Sequence, residues 1–385
     1  METVAVIFGG KSPEHDVSII TALASIIQPL ELTKKYKIVP IYITKTGSWY
    51  SDPGLKDIEL FSSGKIESFL SKLNAVDLCI NDGFSIVKTN GLARKRRSIK
   101  IDLVFPAMHG TYGEDGSLMG LLELANVPYV GCGLSASSVS MNKLLAKEVV
   151  AQNNIKIVNY QAFSKADVEA GLKNVLRRIN TNLKYPLFVK PVHLGSSIGI
   201  SRVQNDKELI NGLEVALHFD DMVLVEEEVQ NLIEVTLPII GNEQPKPALL
   251  EHPLTKPEDF FDFDAKYLRG SKKSQGSKGS QGYSEIPAKL EKDLYKRAQE
   301  TGLAVYKALG LSGIARVDML IDSKSTNIYF NEVNPLPGGL YAHNFNRAGI
   351  SNVELVSSLI ELAHQRFKNS RTLLRSFSTN YLKQF

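Results

Sequence analysis

Ile314-Ala315-Arg316-Val317-Asp318-Met319-Leu320 and Ile328-Tyr329-Phe330-Asn331-Glu332-Val333-Asn334, two stretches in the last third of the chain, decide how the rest is read. Both are rich in β-branched, aromatic and other apolar residues, and each predicts a strand. Strand side chains alternate faces with a period of two, so Arg316 and Asp318 share one face, and Glu332 and Asn334 share one face of the next strand. Four polar groups can therefore converge from neighbouring strands. A charge inside an apolar strand is costly unless paired or bound to metal, and Asp318, Glu332 and Asn334 supply hard oxygen ligands of the kind Mg²⁺ requires. An exposed sheet face with solvated charges would give the same pattern, so the pair of strands does not decide alone. A turn, PLPGG (335–339), ends the second strand.

Upstream, YPLFVKP (185–191) predicts a strand from which Lys190 emerges, and HLGSSIGI (193–200) a turn containing Ser196 and Ser197. A lysine leaving a strand beside a short Gly/Ser loop can set an ammonium and several backbone N–H groups around a phosphate chain. The segment lacks GxxxxGK[ST] and is not a P-loop. MVLVEEEV (222–229) reads as an apolar strand ending in carboxylates, and Lys143 in SMNKLLAK (140–147) is a further phosphate contact or a solvated helix lysine. At the start of the chain, VAVIFGG (4–10) ends in two glycines, with Glu14, His15, Asp16 and Ser18 close behind. Polar groups at the carboxyl end of a parallel strand are where α/β folds hold ligands, although the same residue types favour helix N-termini.

Around these segments the pattern divides into three units. Strands VAVIFGG, KIVPIYIT (37–44) and IDLVFPAMHG (101–110) alternate with apolar helical stretches such as 17–30 and LMGLLELANV (118–127). That alternation predicts a parallel α/β domain over 1–131, closed by the break PYVGCG (128–133). The second unit covers 132–226 and the third 227–385. Thirteen residues drawn only from Gly, Ser, Lys and Gln (270–282) interrupt the third. Such a composition cannot order itself unaided, and a lid loop over 268–285 and an idle insertion are the two readings. After it, Leu290, Leu294, Ala298, Val305 and Leu309 mark a helix face that stops at Gly310.

The 385-residue chain is 43% hydrophobic and 22% charged, with a net charge of +4, so neither a polyanion partner nor a membrane role is expected. No uninterrupted apolar stretch approaches the roughly 20 residues of a membrane span, and no signal peptide is visible, so a cytoplasmic location is expected. Cys79 and Cys132 are too few for a disulfide framework and lack zinc-ligand spacing. The basic run 94–97, followed by Lys100, has no interleaved aromatics and reads as a solvated loop rather than a nucleic-acid surface.

FGGKSPEHDVS (8–18), HGTYGEDGSLMGLLELANVPYVGCG (109–133), MNKLLAKEVV (141–150), PLFVKPVHLGSSIGIS (186–201), DFDAKY (262–267), ARVDML (315–320) and NEVNPLPG (331–338), in this order, resemble the D-alanine–D-alanine ligase family over nearly the whole chain. The resemblance implies a three-domain ATP-grasp fold with the nucleotide between the central and C-terminal domains. It also implies ATP as substrate, two Mg²⁺ ions (or Mn²⁺), D-alanine or a related amino acid as the other small molecule, an acyl-phosphate intermediate feeding peptidoglycan precursor synthesis, and a homodimer. By resemblance Glu14 holds the first substrate's ammonium, and Ser196 and Tyr267 link that site to the lid. Arg316 and the Gly338 backbone N–H form the oxyanion site. Asp318, Glu332 and Asn334 hold the metals. Lys143, Lys190, Ser196, Ser197 and Lys266 attend the phosphates, Glu226 and Glu227 lie beside adenine, and Glu234 meets the ribose. One departure stands out: the family's turn continues into a serine for the second substrate's carboxylate, where this chain has His343. A histidine there can pair with a carboxylate or signal a different acceptor, so a sibling ligase is the alternative.

Overall fold

The buried run from Val4 to Phe8 makes Glu2–Gly9 (β1) the centre of the first sheet. β1 pairs in parallel with Tyr36–Ile43 (β2) on one side, and β2 carries the short antiparallel Trp49–Tyr50 (β3) at its outer edge. Before the chain returns to β1's other side it forms a meander of Asp77–Cys79 (β4), Phe84–Asn90 (β5) and Lys95–Ile101 (β6). Leu103–Pro106 (β7) then completes the order β3-β2-β1-β7. A strand covered on both faces needs apolar residues at every position, which is why β1 lacks alternation. This computed structural model describes residues 1–81, 83–90, 95–254, 284–374 and 381–384.

β6 corrects the reading of the basic run: residues 95–101 form a strand, not a loop. Ile99 stands opposite Ile86 and Ile101 opposite Phe84, while Arg96, Arg97 and Lys100 remain exposed. Charges on an edge strand keep other strands from pairing with it. The expected strand over 101–110 is split at Asp102, whose carboxylate accepts the Thr3 N–H at 2.8 Å. Of the described residues, one helical run, His15–Thr33, is long and apolar enough to cross a membrane. Its Ala22, Leu23, Ile26, Ile27 and Leu30 are instead buried in the first core.

The second sheet, ordered β10-β9-β11-β8, is antiparallel and contains Tyr160–Ser164 (β8), Leu187–Pro191 (β9), Ser201–Val203 (β10) and Met222–Glu227 (β11). The third begins with Leu232–Gly241 (β12) and Lys246–Pro247 (β13). After a two-stranded ribbon of His252–Pro253 (β14) and Ser284–Glu285 (β15), it ends with Gly313–Asp322 (β16) and Asn327–Asn334 (β17). The helix Lys143–Gln152, capped by the Asn142 side chain on the Leu145 N–H at 2.9 Å, buries Ala146 and Val150 in the core of the third sheet. The helix Asn352–Arg371 opens with a capping box between Ser351 and Glu354. It places Leu355, Val356, Leu359 and Ile360 in the same core as Val4, Val6 and Phe8, so the far end of the chain completes the first core. Cys132 is buried and donates to the Ser312 carbonyl, and both cysteines are free thiols.

Candidate active site

β16 lies between β12 and β17, and its pairing brings the polar face together: Arg316 stands opposite Asn334, Asp318 opposite Glu332, and Thr236 opposite Asp318. This is the shared face expected from the period of two. A bulge interrupts the register after Asp318, where Met319 pairs with Phe330 and Asn331 is left over. Regular alternation would send Asn331 to the opposite face from Glu332, but with the bulge both line the same cavity of about 330 Å³ between the second and third sheets. Asn331 accepts from Lys190 Nζ at 3.2 Å and was not foreseen, because a bulge leaves no mark in the hydrophobic pattern.

Asp318 is 3% exposed and takes a bidentate pair from Arg316, with Nε to Oδ1 at 2.7 Å and Nη2 to Oδ2 at 2.5 Å. Asn334 Nδ2 adds a longer bond to Oδ2 at 3.3 Å. Burial pushes the Asp318 carboxyl up and Arg316 pulls it down, and with Glu332 and Glu234 nearby it stays at about 6. Burial also acts on Glu332, but Lys143, Lys190 and Arg316 bring it down to about 2. Lys143 reaches it at 3.1 Å and also donates to the Leu194 carbonyl at 2.6 Å, beside the Gly/Ser turn. Two carboxylates and an amide crowded on one buried face form a donor set that fits a hard divalent cation, whose charge would relieve the crowding.

The facing sheet carries the opposite charge. Glu226 on β11 is 1% exposed and takes Lys147 on Oε1 at 2.6 Å and Lys190 on Oε2 at 2.5 Å. Glu227, the next residue, also lines the cavity, although its carboxylate finds other partners. Its carboxylate accepts from Asn159 at 2.9 Å and the Lys184 N–H at 2.9 Å. The two glutamates expected side by side thus make different contacts. Glu234 lines the cavity from β12.

The turn after β9 has Ser196 and Ser197 at φ 54° and 59°, a left-handed conformation that side chains rarely adopt. The turn aims the Ser196 hydroxyl at Glu14, to which it donates across from the first unit. Glu14 is buried, and Gly110 lies against it: a Cβ there would sit 2.7 Å from Glu14 Oε2 and 2.5 Å from Ser12 Oγ. The order of strand, Gly-Gly and acid was enough to single out Glu14, but its neighbours His109 and Glu114 were not expected. His109 Nδ1 bonds Glu114 at 2.6 Å and Nε2 bonds Thr21 Oγ1 at 2.8 Å, and Thr21 accepts the Gly339 N–H at 2.9 Å. Burial pushes Glu114 up to about 7, and its hydrogen bond to His109 raises the imidazole's affinity for a proton despite burial.

Gly338 lines the cavity beside Arg316. The three residues after it, Gly339, Leu340 and Tyr341, all have left-handed φ values of 59°, 54° and 51°. Beyond that tight coil the chain carries Tyr341 and His343 to different surroundings. Tyr341 enters the cavity, with its ring 5.2 Å from the Arg316 guanidinium and its hydroxyl 3.2 Å from Thr236. His343 does not line it. Its ring packs at a 51° tilt against Tyr341, with centroids 4.6 Å apart, and its Nε2 is 3.0 Å from Glu251, a protein carboxylate. Lys266, Tyr267 and the loop 270–282 lie outside the described residues.

Comparison with known proteins shows which family the chain resembles. Residues 3–132 match the family model for the D-ala D-ala ligase N-terminus and residues 149–361 that for the D-ala D-ala ligase C-terminus. The chain is 36% identical to the D-alanine–D-alanine ligase of Chloroherpeton thalassium, with 96% of this chain and 98% of the relative covered. With the enzyme of the same name from Clostridium acetobutylicum the identity is 35%, over 94% and 98%. Among solved structures, the VanG D-Ala:D-Ser ligase from Enterococcus faecalis superposes with a TM-score of 0.76 at 34% identity, covering 94% of this chain and 99% of that one. The D-alanine–D-alanine ligase from Coxiella burnetii gives 0.77 at 28% identity, covering 97% of each.

Proposed function

The chain belongs to the D-alanine–D-alanine ligase family, an ATP-using group with the ATP-grasp fold, and from that premise we propose that it joins two D-alanine molecules at the expense of ATP. The observation that carries the reading is one cavity with carboxylates on one wall, Asp318 opposite Glu332, and the Lys190 ammonium on the other. Phosphoryl transfer demands alignment and charge neutralisation more than covalent help, and this arrangement suits it.

In this reading Glu14, held by the Ser196 hydroxyl, receives the ammonium of the first D-alanine. That leaves its carboxylate to attack the γ-phosphate, displacing ADP and forming an acyl phosphate. Lys143 and Lys190 attend the phosphate chain, with the Gly/Ser turn of Ser196 and Ser197 beside them. Asp318, Glu332 and Asn334 would hold two Mg²⁺ ions, which would supply charge neutralisation for the transferred phosphoryl group. The amine of the second D-alanine then attacks the acyl phosphate. Arg316 and the Gly338 N–H hold the resulting oxyanion, and phosphate leaves. Glu227 and Glu234 lie on the adenosine side, Glu226 is held by Lys147 and Lys190, and Lys266 and Tyr267 join from residues not described. The three units over 1–131, 132–226 and 227–385 supply, respectively, the first-substrate acid, the phosphate lysines, and the metal and oxyanion groups.

A second reading, with another acceptor such as D-serine, is favoured by the solved D-Ala:D-Ser ligase among its neighbours. One assay separates them: phosphate release with ATP, Mg²⁺ and pairs of D- and L-amino acids, with products identified by mass. D-alanyl-D-alanine as the main product supports the first reading. A mixed dipeptide formed in preference from equal mixtures supports the second, and no phosphate with any pair would overturn both.

A further inference from the structure

Lys147 is 1% exposed, yet it touches no part of the cavity. A fully buried lysine is rare because removing an ammonium from water costs several kcal/mol unless it is well paired. Lys147 is paired once: its Nζ lies 2.6 Å from Glu226 Oε1, with the Phe330 carbonyl at a distant 3.5 Å. The other oxygen of Glu226 belongs to Lys190, which does line the cavity. Each carboxylate oxygen thus has its own lysine, one behind the wall and one in it.

The charges around Glu226 explain the arrangement. Alone with Glu226, Lys190 would form a neutral ion pair and present little attraction to a phosphate chain. With Lys147 added, two ammonium groups share one carboxylate, and a net positive charge remains at the end that faces the cavity. The helix Lys143–Gln152 supplies this balance twice, since Lys143, one turn before Lys147, pairs with Glu332 on the third sheet. One helix therefore sets the charge of both walls. In keeping with this, burial and the two lysines together leave Glu226 at about 2, so it stays ionised.

We propose that Lys147 is a positioning residue for nucleotide binding, acting through Glu226 to leave the Lys190 charge free for the phosphates of a nucleoside triphosphate. The proposal rests on the reading above that the cavity takes ATP. It gives Lys147 no contact with substrate, and its effect is confined to the phosphate portion of the ligand.

The test compares Lys147→Met with the unaltered protein in direct binding of a non-hydrolysable ATP analogue and of adenosine, followed by kinetics. The expected result is a loss of about tenfold or more for the triphosphate, since truncating one partner of a buried charge pair has large effects, with adenosine binding changed less than about twofold. KM for ATP rises by a similar factor, while kcat at saturating ATP falls far less. The double variant Lys147→Met/Glu226→Gln removes one charge of each sign, restores the net positive charge and recovers most of the triphosphate affinity. It also removes the orphaned carboxylate, so it is the measurable form if the single variant does not fold. Equal losses for triphosphate and adenosine, an unchanged triphosphate affinity in folded Lys147→Met, or no affinity recovered by the double variant would each overturn the proposal. Failure of the unaltered protein to bind the triphosphate would overturn the functional reading instead.

Discussion

Asp318 and Glu226 face one cavity from two different sheets, at 3% and 1% exposure, and their acidities are driven in opposite directions. Burial disfavours the charged form of both. Asp318 has a single guanidinium against two nearby carboxylates and stays at about 6, whereas Glu226 has two ammonium groups and falls to about 2. Equal burial therefore says little about what a carboxylate does; the count and sign of its neighbours decide. The wall around Asp318 has a deficit of positive charge that suits a cation, and the wall around Glu226 has an excess that suits an anion.

The largest effect is expected where the cation wall is emptied. Glu332→Ala removes the carboxylate opposite Asp318 and should lower phosphate release by at least about 10²-fold, whereas near-normal turnover would contradict the metal assignment. The anion wall is broken more gently through pH. Because Glu226 has a folded-state pKa below its ordinary value, its contribution to stability is present above that value and is lost as pH falls toward about 2. Glu226→Gln should flatten acid unfolding monitored by circular dichroism in that window, by an amount on the order of 1–3 kcal/mol. An unaltered acid profile would mean that the lysines do not hold the carboxylate. The smallest effect belongs to a residue outside both walls. His343→Ser should leave the preference among acceptor amino acids within about threefold of the original, because the imidazole meets Glu251 and not the cavity. A switched preference would return His343 to the acceptor site.

The parts legible in the sequence were those that obey a simple period. Arg316, Asp318, Glu332 and Asn334 meet because two regular strands pair side by side, and the order of the three sheets follows the order of the apolar runs. What escaped depends on local irregularity or on partners distant in sequence. Asn331 reaches the cavity through a bulge, and His343 misses it because three left-handed residues turn the chain. The buried pair of Lys147 and Glu226 joins residues 79 positions apart, and nothing about a lysine on an amphipathic helix announces that it will be the buried one. The basic run joined a strand because Ile99 and Ile101, which follow it, had an apolar partner strand, which charge counting ignores.

The helix Asn352–Arg371 ties the beginning of the chain to its far end. During synthesis the first sheet emerges long before the helix that covers it, so β1 and the run His15–Thr33 must wait with an uncovered apolar face until some 330 further residues have been made. A fragment ending at residue 131 should accordingly bind a hydrophobic dye that the chain through residue 371 excludes. If the fragment shows no such binding, the first unit closes without its distant cover.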